Sequence, residues 1–155
     1  MPEPWTTERP RLLVIADDQG AGELLARLLD RAGWTTDLAF SGASGLHQLE
    51  GGGAGYDAVI LDLASSAQDI EALLALRSDR ATSALRVIVC LRADQPDPDG
   101  AAVEAWNAGT DGILVHPFGA DAFTDEIANV VVRADHQREE HRRASVDRLR
   151  PGRRG

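Results

Sequence analysis

Lysine is absent from this 155-residue chain, so all sixteen of its basic side chains are arginine. No ammonium on a long flexible arm is available to face a cluster of acids. Cysteine is nearly absent too. Cys90 stands alone, which excludes an internal disulfide. The start of the chain is polar and proline-rich and lacks the apolar stretch of a signal peptide. Together these features lead to the expectation of a reduced, cytoplasmic setting. No apolar run approaches the ~20 residues of a membrane span. Gly-x-Ser-x-Gly, Walker A, Cys-x-x-Cys and His-Glu-x-x-His patterns are all missing. Gly20-Ala21-Gly22 fails as a dinucleotide loop, because Leu25 takes the third glycine position and Asp17 and Asp18 would repel a pyrophosphate.

Charge is unevenly placed. Residues 133–155 carry eight Arg against Asp135, Glu139, Glu140 and Asp147, a net of +4. The whole chain is at −9, so residues 1–132 hold −13. An acidic body argues against nucleic-acid binding by the globular part. Too few apolar residues follow Val132 to pack a helix-turn-helix, so no DNA-binding domain is expected there. The expected organisation is a disordered segment over 1–10, one domain over 11–133, and a helical extension with a basic disordered tail over 134–155.

Short apolar runs alternate with helical patterns along that domain. Strands are expected at 11–17, 35–39, 58–62, 86–91 and 111–116. Leu24, Leu25, Leu28 and Leu29 mark a first helix face, and Ile70, Leu73, Leu74 and Leu76 a third. The second helix, over 43–49, is weak and stops at the glycine-rich run 51–55. Residues 92–100 read as an irregular loop before a fourth helix at 101–108. A fifth helix over 121–133 is free to run on to 143. Five βα units imply an α/β fold: a doubly wound, five-stranded parallel sheet with helices on both faces and the flavodoxin-like order 2-1-3-4-5.

Strand ends are where this chain has chemistry to offer. The first strand runs into Asp17 and Asp18, and the third ends on Asp62. In such a sheet the C-terminal strand ends converge on one crevice. Carboxylates gathered there repel one another unless a cation or a chemical task holds them.

Leu-Leu-Val-Ile-Ala-Asp-Asp (12–18), Tyr-Asp-Ala-Val-Ile-Leu-Asp-Leu (56–63) and Ala-Gly-Thr-Asp-Gly-Ile-Leu-Val-His-Pro-Phe (108–118) resemble the receiver domain of bacterial two-component response regulators. The resemblance covers about residues 11–132 and implies a CheY-like fold. It implies that Asp62 is the phosphoacceptor, with a histidine kinase or phosphotransfer protein as donor. It also implies Mg²⁺, bound weakly or not at all, on Asp17, Asp18, Asp62 and the backbone carbonyl of Ala64. Ala16 replaces one of the family's acids. The family's strand-four Thr/Ser falls on Leu91, which has no hydroxyl, and its strand-five Lys falls on His116. Cys90 is the neighbour of Leu91, but a one-residue shift turns a strand side chain to the other face; it reads as a buried core thiol.

The expected function is therefore regulation of a partner by protein–protein contact through the fourth helix, fifth strand and fifth helix, with no enzyme activity and with homodimerisation open. A phosphorylation-independent pseudo-receiver, constitutive or ligand-controlled, is the alternative. A small α/β enzyme using Asp62 and His116 is a remote one. Two contacts stay open at this point: whether His116 bonds Asp62 or merely fills space, and whether Arg92 reaches into the acidic pocket.

Overall fold

A computed structural model describes residues 11–49 and 55–149. The segments 1–10 and 150–155, and most of the glycine-rich run, lie outside the described residues, and with them the expected disordered ends. The strands are β1 (Arg11–Ala16), β2 (Thr35–Ala39), β3 (Ala58–Asp62), β4 (Val87–Arg92) and β5 (Gly112–His116). The helices are α1 (Gln19–Arg31), α2 (Gly42–Leu49), α3 (Ser66–Ser78), α4 (Pro98–Ala108), α5 (Ala120–Val132) and α6 (Asp135–Arg148). All strand pairs are parallel, in the order β2-β1-β3-β4-β5. The α/β architecture is the expected flavodoxin-like one.

Period-two alternation sorts the strands onto two cores. Leu13, Ile15, Val59, Leu61, Val87, Val89 and Leu91 pack with Leu49, Leu73 and Leu76 of α2 and α3. Leu12, Val14, Ile60, Ile88 and Cys90 pack with Leu25 and Leu29 of α1 and with Phe123, Ile127 and Val130 of α5. Each fully buried aliphatic side chain stabilises the fold by roughly 1.5–3 kcal/mol. Both faces are covered, so the strands read as continuous apolar runs. Within the leucine stripe of α1, Leu25 and Leu29 point inward and Leu24 remains exposed.

Two elements differ from expectation. Helix α4 begins at Pro98, inside the stretch read as loop. Asp97 accepts from the Gly100 N–H, and Pro98 occupies the first helical turn, where its missing N–H costs nothing. Helix α5 does not run on to residue 143. It stops at Val132, where Arg86 donates to the carbonyls of Val130 and Arg133. A separate helix, α6, starts at Asp135 and packs on α4.

Val146 is buried there and His141 meets the Trp106 ring edge-on, and a charge cluster ties the helix to the sheet as well. Asp111, just before β5, is buried at the sheet rim formed by the strand N-termini. Its carboxylate accepts from Arg138 Nε at 2.6 Å, Arg142 Nη2 at 2.9 Å, Arg77 Nη2 at 3.0 Å and the Val87 N–H at 3.0 Å. Arg138 is itself buried, although it is charged. Three guanidiniums from α3 and α6 thus meet one carboxylate, which clamps α6 to the sheet.

Candidate functional site

The opposite rim gathers the C-terminal strand ends. Ala16 pairs in register with Asp62, and Asp17 follows one residue beyond on the same rim. Asp62 is the last residue of β3, and only 5% of its surface is exposed. Its Oδ1 lies 3.0 Å from Nε2 of His116, the last residue of β5. His116 thus faces Asp62 and is no mere filler; its ring also packs on Phe118.

The other acids are held differently. Asp18 caps α1, accepting from the Ala21 N–H at 2.7 Å. Asp17 accepts from the Ala64 N–H at 2.8 Å, which ties the β3–α3 turn to the end of β1. Leu91 is buried on the α3 side, away from His116. Arg92 is exposed; its charge acts on Asp69 and Cys90 from a distance, and no ion pair joins it to Asp62 among the described residues.

Of the expected metal ligands, the structure brings Asp17, Asp62 and the Ala64 backbone to one rim, while Asp18 is engaged as a helix cap. The potential metal-ligating side chains that the described residues gather into a group of three are a different set: Asp62, Cys90 and His116, with one donor atom of each within 4.8 Å of the others. Reading Cys90 as a core thiol missed this. It does face away from Leu91, but the face it turns to is the one that Asp62 and His116 share. Register was the available signal: Ile60 pairs with Ile88, so Asp62 and Cys90 are in step. Burial, with Asp62 and Asp69 adding to it, pushes the Cys90 thiol well above its usual range. A thiol held protonated in this way is not an activated nucleophile.

Asp69, in the first turns of α3, completes the rim. It is 1% exposed, and its Oδ1 accepts from the Leu63 N–H at 2.9 Å. Burial, aided by the charges of Asp62 and Asp17, pushes its pKa up to about 8. The unfolded chain would ionise the same group near pH ~4. Between those values the folded state holds the extra proton, so stability is full at the acid end and falls as pH rises towards 8. Asp69→Asn keeps an acceptor for Leu63 and removes the charge. Urea unfolding at about pH 8.5 should find this variant more stable than the native chain by roughly 1–3 kcal/mol, and near equality is expected at about pH 5. A cleft of about 230 Å³ opens beside these groups, walled by Ser65, Ser66, Asp69, Cys90, Arg92 and Gln95 among others.

No protein-family model matches the chain. A stretch of 111 residues is 32% identical to the transcriptional regulatory protein DltR of Streptococcus agalactiae, covering 72% of this chain and 47% of that protein. Another of 131 residues is 31% identical to the transcriptional activator protein IrlR of Burkholderia pseudomallei, covering 83% and 53%. The chain thus spans about half the length of these curated relatives. Among solved structures, a response regulator receiver domain protein from Clostridium thermocellum superposes with a TM-score of 0.70 at 24% identity, covering 80% of this chain and 95% of that one. The chemotaxis response regulator CheY4 of Vibrio cholerae superposes with a TM-score of 0.67 at 18% identity, covering 79% and 99%.

Proposed function

Because the chain has the receiver fold and is similar in sequence to response regulators, we propose that it is an atypical receiver in two-component signalling. It regulates a partner by protein–protein contact, and Asp62 is its slow phosphoacceptor. The observation that carries this reading is the hydrogen bond between Asp62 at the end of β3 and His116 at the end of β5. A carboxylate oxygen of Asp62 attacks phosphorus, the bond to the leaving group breaks, and an aspartyl phosphate remains.

Like charges make that attack difficult. Mg²⁺, where bound, neutralises negative charge on the phosphoryl oxygens. Asp17, Asp62 and the Ala64 carbonyl would hold it; the set is oxygen-only, as Mg²⁺ demands, but it is short of one acid. Asp17 accepts from the Ala64 N–H through Oδ2, which leaves Oδ1 to take part. His116 supplies a shorter side chain than lysine, and Leu91 supplies no hydroxyl. Phosphorylation is therefore slow, and the donor is a histidine kinase or phosphotransfer protein.

The contact surface is assigned to α4, β5 and α5, where Val115 is 43% exposed on β5 and α6 lies against α4. A homodimer through this face fits the same reading. No helix among the described residues is long and apolar enough to cross a membrane, which suits a cytoplasmic role.

Incubation with acetyl phosphate and Mg²⁺, followed by intact mass measurement, tests the proposal. A minor fraction should gain one phosphoryl group over hours, and Asp62→Asn should gain none. No adduct at any time would leave the phosphorylation-independent reading, in which the Asp62–His116 pair holds one fixed conformation. An undiminished adduct in Asp62→Asn would place the acceptor elsewhere.

A further inference from the structure

Three strands each deliver one metal-ligating side chain to the same spot. Asp62, Cys90 and His116 face the α1/α5 side of the sheet at the ends of β3, β4 and β5. Carboxylate oxygen, thiol sulfur and imidazole nitrogen lie mutually within 4.8 Å, and the oxygen and nitrogen are 3.0 Å apart. Two of the three residues are buried. Thiolate, imidazole and carboxylate are zinc ligands, and three protein ligands with an open fourth position describe a common zinc arrangement. Sulfur and nitrogen donors disfavour Mg²⁺ and Ca²⁺, which take oxygen. We propose that Asp62, Cys90 and His116 form a binding site for a zinc-class divalent cation.

Charge balance supports the site. One thiolate and one carboxylate cancel the two positive charges, so the loaded cluster is neutral, as a buried position requires. On binding, the metal takes the place of the thiol proton, which leaves to solvent. Metal–ligand lengths of about 2.0–2.3 Å put tetrahedral ligand atoms roughly 3.3–3.7 Å apart. The oxygen and nitrogen are already about that close, and the sulfur needs to move inward by about an ångström. The His116 side chain is 26% exposed, so the cluster reaches solvent on that side.

A metal here occupies the Asp62 oxygen that phosphorylation would use, so the two events compete. The site does not depend on the phosphoacceptor reading. A chain that never accepts a phosphoryl group can still bind zinc, and one that accepts it can still fail to.

Titration of the untagged chain with Co²⁺, followed by Zn²⁺, in buffer containing excess Mg²⁺ tests the assignment. One equivalent of Co²⁺ should produce a thiolate-to-cobalt charge-transfer band and the strong visible bands of tetrahedral cobalt. Zn²⁺ should abolish both. Cys90→Ser should lose the charge-transfer band, and His116→Asn should weaken Co²⁺ binding at least about tenfold. Circular dichroism checks that each variant folds; His116 is partly exposed, so its variant carries the test if Cys90→Ser does not fold. Absence of a thiolate band in the native chain overturns the proposal. So does Co²⁺ binding that neither substitution changes, which would place the metal on His47, His136 or His141.

Discussion

Asp111→Ala should lower stability by about 3–5 kcal/mol, the cost of removing one partner from a buried ion cluster. Three arginines converge on this carboxylate, and one of them, Arg138, is almost wholly buried. Without Asp111 their charges have no counter-ion in the interior, and the Val87 N–H loses its acceptor. At about 2–4 °C per kcal/mol for a chain of this size, the melting temperature should fall by roughly 10 °C or more. Hydrogen exchange should show α6 losing protection before the sheet does, because Arg138 and Arg142 tie it to Asp111. Asp111→Asn keeps an acceptor for Val87 but not the charge, so it should fall between the two. A loss under about 1 kcal/mol for Asp111→Ala would mean that the cluster behaves like an exposed ion pair and that α6 is held by other contacts.

His116→Lys should raise the rate of Asp62 labelling by acetyl phosphate about 10- to 100-fold. A hydrogen bond to a permanently charged group is worth about 1.5–3 kcal/mol, and each 1.4 kcal/mol is a factor of about ten in rate. The imidazole sits 3.0 Å from the attacking carboxylate. An ammonium on a longer arm stays charged and can follow the oxygen as it binds phosphorus. Intact mass against time, with the native chain in parallel, reads the rate directly. An unchanged rate would shift the limitation to Leu91.

The strands were legible because each is a short apolar run with both faces covered, and alternation sorted Leu13 from Leu12 and Val59 from Ile60 without further help. Asp62 and His116 were legible through the resemblance; their meeting was not, because β4 lies between their strands. What the sequence hid has physical reasons. Helix α4 starts early because Asp97 and Pro98 form a helix start, a pair that also reads as a loop. Helix α6 carries almost no apolar stripe; arginines bonded to Asp111 anchor it, and hydrophobic periodicity cannot register them. Cys90 was judged against its neighbour Leu91 along the strand. Its relevant neighbours are across the sheet.

One short strand lies between the two polar clusters. Asp111 precedes β5 and His116 closes it, about 17 Å away at the usual rise per residue. Sliding β5 lengthwise would pull Asp111 out of its three arginines. The strand is thus pinned at its base like a tent pole in a socket, and His116 adjusts to Asp62 by rotation about its own side-chain bonds while the strand stays in place.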